Sequence, residues 1–297
     1  MTSPNDRFRG ALVGLAVGDA VGTSVEFLRR GEFTPVTDMV GGGAFNLQPG
    51  EWTDDTSLAL CLADSLINAN GMDATDQLER YVRWYKHGYM SSNGYCFDIG
   101  GTTRKALHDF TEMGTEVAWY DDYSLGNGSI MRLAPVPMFF WPNYELAVFN
   151  SGLSSRTTHS APECIEACRL LGSIIHNALD GMNKMQMLLN HNGQKFVNES
   201  IQDISECSYD GKPETIIKGS GYVIQSLEAA LWCFLNTDNF RDAVLKATNL
   251  GDDADTTAAI CGQVAGAYYG IEGIPEEWVK KIAKLDLIEA LADNLRD

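Results

Sequence analysis

Along nearly the whole chain, apolar positions recur at the three- to four-residue spacing of helices. Arg7 to Val21 is apolar and rich in small residues, and Ser57 to Ile67 reads as a helix buried on all sides. Leu78 to Tyr85 is amphipathic, with charges between Leu, Tyr, Val and Trp. The spacing predicts further helices over Thr103–Met113, Pro162–Leu179, Gly221–Leu235, Phe240–Asn249 and Thr256–Tyr269. A last helix is predicted from Pro275 to the end, with the proline in its first turn. Alternating, strand-like runs are few, so the pattern predicts an all-α fold. No repeat, linker or low-complexity segment interrupts it, and one compact multi-helix domain over residues 1–297 is the simplest reading. The long connections Gly31–Trp52, Gly88–Gly101 and Gly114–Leu125 are where a helical scaffold tends to build a site.

Two predicted helices share an unusual character. Gly10–Asp19 and Thr257–Ala267 are both dominated by Gly and Ala, which let helix axes approach closely. Crossing at short range would bring their polar ends into one pocket.

Those polar ends carry the chemistry. Trp52-Thr53-Asp54-Asp55-Thr56 precedes one apolar helix, and Asp252-Asp253-Ala254-Asp255-Thr256 precedes another. From Asp54 to Asp253 the separation is 253 − 54 = 199 residues. Adjacent carboxylates repel unless cations neutralise them. Hydroxyl and carboxylate oxygens are hard ligands suited to Mg²⁺ or Mn²⁺, and two such clusters point to a two-metal hydrolytic centre. Ordinary helix capping is the competing reading, since Asp and Thr are favoured caps. Capping suffices for either run alone; the pair, each with Thr beside paired acids, favours metal.

Composition narrows the partners. The 297 residues are 44% hydrophobic and carry a formal net charge of −18. Nucleic-acid binding depends on clustered Lys and Arg, so this balance argues against it. An anionic ligand would need local positive potential from ions or helix N-termini. The first residues lack a signal-peptide core, and no stretch reaches the roughly 20 apolar residues of a membrane span. Seven scattered cysteines without a CxxC pair are expected to be reduced thiols of a cytoplasmic protein.

Together with Arg9–Gly22, Gly126-Asn127-Gly128-Ser129-Ile130-Met131-Arg132, Thr157-Thr158-His159-Ser160 and Gly266–Gly270, the acidic runs resemble, in order, the motifs of the ADP-ribosylglycohydrolase family. The resemblance implies an all-α fold with a dinuclear metal cleft holding two divalent cations, Mg²⁺ or Mn²⁺. It implies hydrolysis of the bond between ADP-ribose and an acceptor side chain, with arginine the favoured acceptor. An ADP-ribosylated protein would be the substrate and ADP-ribose the product. Serine-linked, polymeric or O-acetyl ADP-ribose remain alternatives, as do a non-catalytic ADP-ribose binder and another metal-dependent hydrolase.

By motif match, the metal ligands carry over to Thr53, Asp54, Asp55, Asp253, Asp255 and Thr256. Asp98, in a glycine-rich loop, and Glu26 are the candidates for proton transfer, with Asp55 shared between metal binding and catalysis. Gly126, Asn127, Gly128 and Ser129 would hold a diphosphate, although a simple turn explains their composition equally well. His159 would contact the adenosine part, where a lone histidine is more often structural. Tyr222 would stack on a ribose or base, or else fill the core.

Overall fold

The computed structural model describes residues 3–121 and 124–296. Residues 122–123 of the third expected loop, and the final residue of the last expected helix, lie outside that description. The chain runs through α1 (Pro4–Gly22), α2 (Asp54–Ala69), α3 (Ala74–His87), α4 (Gly101–Met113), α5 (Pro135–Phe139), α6 (Tyr144–Arg156) and α7 (Pro162–Leu179). It continues through α8 (Lys184–Leu189), α9 (Glu199–Ser205), α10 (Val223–Leu235), α11 (Phe240–Thr248), α12 (Ala254–Tyr269), α13 (Glu276–Val279) and α14 (Leu285–Asn294). The β-pairings found among the described residues are isolated bridges, Arg29 with Gly251, Gly42 with Leu47 and Gly126 with Tyr222. The all-α expectation therefore holds.

α1 starts on a capping box, in which Ser3 Oγ accepts from the Asp6 amide and Asp6 Oδ2 accepts from the Ser3 amide. Its glycines recur every fourth residue and meet α12 backbone to backbone. A Cβ on Gly10 would lie 2.2 Å from Gly266 O, one on Gly14 2.4 Å from Gly262 O, and one on Gly18 2.1 Å from Ala258 O. As the α1 number rises by four the α12 number falls by four, so the helices are antiparallel. The main core surrounds this pair, and a smaller cluster of Leu58, Cys61, Leu78, Tyr81, Trp84, Leu107 and Met131 joins α2, α3 and α4.

Three differences from expectation have physical causes. α6 was not predicted, because its buried positions include Asn150, Ser151, Ser154 and Ser155. Its Ser151 hydroxyl donates to Ala147 O at 2.7 Å and Ser155 Oγ to Ser129 Oγ at 2.9 Å, so these two hydroxyls are satisfied inside the fold while Ser154 Oγ has no partner. α5, α8 and α9 are too short to show a period. The continuous helix expected from Pro275 is two helices, separated where Lys284 adopts a left-handed φ of +54°. All seven cysteines are free, and six are buried. No helix among the described residues is long and apolar enough to cross a membrane.

Candidate active site

Both acidic runs open helices, Asp54 beginning α2 and Ala254 beginning α12. Neither N-cap residue, Thr53 or Asp253, makes a side-chain capping bond. Capping therefore does not explain why the oxygens are there. The antiparallel α1–α12 contact continues to Gly22, whose Cβ would lie 2.4 Å from Asp255 Cα. This brings Asp19, near the end of α1, to the start of α12, and α2 delivers its own first turn to the same place.

Carboxylate oxygens of Asp19, Asp55 and Asp255 lie within 4.8 Å of one another, and so do those of Glu26, Asp98 and Asp255. Asp255 belongs to both groups. Thr53 Oγ1 lies 3.2 Å from Asp55 Oδ2 and 3.4 Å from Asp255 Oδ2, and Thr256 Oγ1 lies 3.4 Å from Asp55 Oδ2. Asp55 Oδ1 and Glu26 Oε2 are buried without any hydrogen-bond partner. Burial pushes the carboxyls of Asp54, Asp55 and Asp255 well above the ordinary range, and neighbouring acids add to the shift. Burial and then neighbouring acids raise Asp98 to about 8 and Glu26 to about 9; a hydrogen bond between these two opposes the shift at Asp98. Buried, mutually repelling hard oxygens with orphaned lone pairs suit divalent cations of the Mg²⁺ or Mn²⁺ type.

Asp19 is placed differently from the rest. Its two oxygens accept from the Thr53 amide (2.9 Å), Thr53 Oγ1 (3.0 Å), the Thr56 amide (3.1 Å) and Thr56 Oγ1 (2.6 Å). Its lone pairs are committed to holding the first turn of α2, so it orients the other acids although its oxygens fall within reach of an ion.

A cavity of roughly 380 Å³ opens beside the cluster, lined by acids and by two glycine-bearing turns. Gly101, Thr102 and Thr103, the first turn of α4, line it. The N-cap there is Gly100, which has no side chain to offer, so first-turn N–H groups remain for a ligand. Opposite stand Gly126, Asn127 and Gly128. A Cβ on Gly128 would lie 2.7 Å from His159 Cε1, so only glycine lets the ring pack against this turn. Buried Arg132 donates to Gly128 O at 2.9 Å and to Thr158 Oγ1 at 2.6 Å. Thr158 Oγ1 accepts from Arg132, and its own proton is free to point at His159 Nδ1, 2.9 Å away. The ring proton then resides on Nε2. Burial, then Arg132, lowers His159 to about 3, so the ring is neutral.

Of the residues predicted from sequence, Glu26, Asp54, Asp98, Gly126, Asn127, Gly128, His159, Asp253, Asp255 and Thr256 line the cavity. Thr53 and Asp55 lie fully buried beside it. Ser129 is buried, its hydroxyl accepting from Ser155 and Cys168, and Tyr222 packs against the core while its backbone bridges Gly126. Neither side chain is on the cavity wall. Sequence reasoning missed Asp19, the α4 N-terminus and the Arg132–Thr158–His159 chain. A lone acid inside the apolar Gly14–Gly22 run was the available signal for Asp19, since buried acids without a role are rare.

Comparison with known proteins agrees with this geometry. The family model for ADP-ribosylglycohydrolase matches residues 1–297. The chain is 47% identical over 293 residues to an ADP-ribosylarginine hydrolase, Tri1, of Serratia proteamaculans, covering 98% of this chain and 79% of that one. It is 32% identical to the ADP-ribosyl-[dinitrogen reductase] glycohydrolase of Rhodospirillum rubrum, covering 95% and 92%. A solved structure described as an ADP-ribosylglycohydrolase-related protein complex superposes with a TM-score of 0.86 at 39% identity, covering 100% of this chain and 99% of that one. The chain belongs to the ADP-ribosylglycohydrolase family of enzymes.

Proposed function

We infer that this protein hydrolyses the N-glycosidic bond between ADP-ribose and arginine, with the help of divalent cations, releasing ADP-ribose and unmodified arginine. The observation carrying this reading is one cavity lined both by an acidic cluster and by the first-turn amides of α4. The choice of arginine draws on the relatives named ADP-ribosylarginine hydrolase, at 47% and 46% identity. Because the cavity draws on residues from Glu26 to Thr256, we treat the chain as a single functional unit.

Thr53, Asp54, Asp55, Asp253, Asp255 and Thr256 would hold the ions. Bound there, divalent ions would engage ribose hydroxyls and make water a better nucleophile at neutral pH. The remaining work falls to the chain. The first turn of α4 and the amides of Gly126 and Gly128 hold the diphosphate, the Asn127 amide being committed to Gly221 O at 3.1 Å. His159 offers an Nε2–H toward the ligand, oriented by Thr158 and Arg132. Positive charge develops on the ribose as the bond breaks, and the nearby carboxylates stabilise it. Asp98 and Glu26 lie together on the cavity wall, where one can accept a proton from the attacking water and the other supply one to the leaving guanidine.

The test is a panel of peptides carrying ADP-ribose on arginine or serine, incubated with Mg²⁺, Mn²⁺ or chelator. Release of ADP-ribose from the arginine-linked peptide, abolished by chelation, is the expected result. Tight ADP-ribose binding with no release from any peptide would refute it.

A further inference from the structure

Beside the acids the cavity is lined by Phe27, which leads a chain of three phenylalanine rings that the chemistry above does not use. Phe27 directly follows Glu26, lines the mouth and is 64% exposed. Phe97 directly precedes Asp98. Phe45 stands between them, its ring centroid 6.3 Å from that of Phe27 at 71° and 5.3 Å from that of Phe97 at 51°.

Each ring comes from a different loop, and each loop is tied down separately. The Phe27 amide donates to Asp252 O at 2.8 Å, and the Asp252 amide returns a bond to Leu28 O at 2.7 Å. The loop of Phe45 is closed by reciprocal bonds between Gly42 and Leu47, at 2.7 and 2.9 Å. The loop of Phe97 is held to the first acidic run by Ser92 Oγ donating to Trp52 O at 2.6 Å. Phe27 also has a φ of +64°, a conformation bulky residues rarely adopt. Strain of this kind persists where surrounding bonds enforce it, and it clusters at ligand sites. Here it turns a large apolar ring toward water beside a catalytic carboxylate.

The polarity of the cavity fixes what passes this ridge. A ligand with its diphosphate against the glycines and its reacting ribose among the acids must send its acceptor out past Phe27. In an arginine-linked substrate the acceptor nitrogen on the ribose belongs to a planar, delocalised cation. The acids attract any cation and do not distinguish its shape. Aromatic faces do, because a flat guanidinium stacks on them and a methylene arm packs along their edges.

We propose that Phe27, Phe45 and Phe97 form an acceptor platform that takes the guanidinium and methylene arm of the modified arginine, selecting arginine over short neutral acceptors. This rests on the arginine-hydrolase reading and adds the residues that read the acceptor.

Phe45 is neither an ion ligand nor next to one in sequence, so its substitution is the cleaner test, while Phe97 precedes Asp98 and its variant is read on KM and kcat separately. Steady-state kinetics on an ADP-ribosylarginine peptide should show KM rising about fivefold for Phe45→Ala, with kcat little changed. Phe45→Leu, which keeps apolar bulk without a ring face, should rise similarly, and Phe45→Trp should restore KM. Phe97→Leu provides a second variant should Phe45→Ala fold poorly. Free ADP-ribose lacks an acceptor, so its affinity by calorimetry should stay at the wild-type value in each folded variant. A wild-type KM in Phe45→Leu and Phe97→Leu overturns the platform while leaving the activity standing. An equal loss of ADP-ribose affinity also overturns it, since the effect would then be structural. Wild-type protein that leaves the arginine-linked peptide intact defeats the underlying reading and the platform with it.

Discussion

Asn127 donates from Nδ2 to Asp253 Oδ2 at 2.8 Å and to Ser226 Oγ at 3.2 Å. One amide thereby joins the glycine turn to the second acidic run, so the two parts of the cavity wall move together. Asn127→Ala removes this link and leaves Asp253 short of a donor. A hydrogen bond to a charged group contributes about 1.5–3 kcal/mol, which corresponds to a roughly 10- to 100-fold loss in kcat/KM. Asn127→Asp should cost more, because it sets a second carboxylate against Asp253. Chromatographic measurement of ADP-ribose released from an arginine-linked peptide checks both variants; equal rates for Asn127→Ala and wild type would dissolve the coupling.

Asp19 offers a separate test, because its four bonds go to Thr53 and Thr56. Asp19→Asn preserves shape but turns an NH₂ donor toward groups that are themselves donors. The first turn of α2 then loses its anchor, and with it the aim of Asp54 and Asp55. Residues that orient metal ligands typically change affinity by about 10–100-fold when replaced. An ion bound only to the folded state adds about 2.7 kcal/mol at a hundredfold excess over Kd, so Mn²⁺ should raise the wild-type Tm and chelator should lower it. The same rise in Asp19→Asn should need a correspondingly higher Mn²⁺ concentration. A wild-type Tm indifferent to Mn²⁺ and Mg²⁺ would count against ions in this cluster.

What could be read from the sequence follows from where each signal resides. α2, α7 and α12 were legible because their buried positions are mostly apolar and long enough to show a period. The acidic runs were legible because paired acids beside Thr at two helix starts are costly without a counter-ion. α6 was not, because its interior face is made of Ser and Asn, which read as loop. Asp19 sits inside an apolar run that does not spell out a site role, since that role appears only when Thr53, 34 residues later, folds against it. The rings of Phe27, Phe45 and Phe97 are scattered singly in the sequence, and only three tethered loops make them neighbours.

Gly18 shows how closely stability and site geometry are linked. Its place on α1 faces Ala258 O, which a Cβ would approach to 2.1 Å. Backbone cannot yield as a flexible side chain would, so Gly18→Ala must push α1 from α12. Overpacking of this kind costs about 1–3 kcal/mol or more, and a lower Tm is expected. Asp19 is the next residue and Asp255 the α12 partner, so Mn²⁺ binding should weaken in the protein that still folds. Gly31→Ala is the comparison: nothing lies within 4 Å of that Cβ, although its φ of +85° adds local strain. Calorimetric unfolding of both variants, with and without Mn²⁺, separates the two costs; a Gly18→Ala protein with unchanged Tm and Mn²⁺ response would remove the close helix contact from the account of the site.

His159 makes a contribution to the pH dependence that one substitution isolates. Burial, then Arg132, depresses it from 6.5 to about 3, so the folded protein keeps a neutral ring where the unfolded chain takes up a proton. The unfolded state binds more protons throughout that window, and folding stability therefore falls as pH drops below 6.5. The limiting slope is about 1.4 kcal/mol per pH unit for one such site. His159→Gln lacks the titration and should not share the decline. At pH 7 the variant should be the less stable, having lost the bond from Thr158 and the packing on Gly128. Between pH 7 and 5 the gap should narrow, since only wild type carries the His159 contribution while the acids act alike in both. Urea unfolding of both proteins at pH 7, 6 and 5 in saturating Mg²⁺ measures that gap directly. A constant gap would mean the folded ring takes up its proton normally, and His159 could not then be the fixed neutral donor facing the ligand.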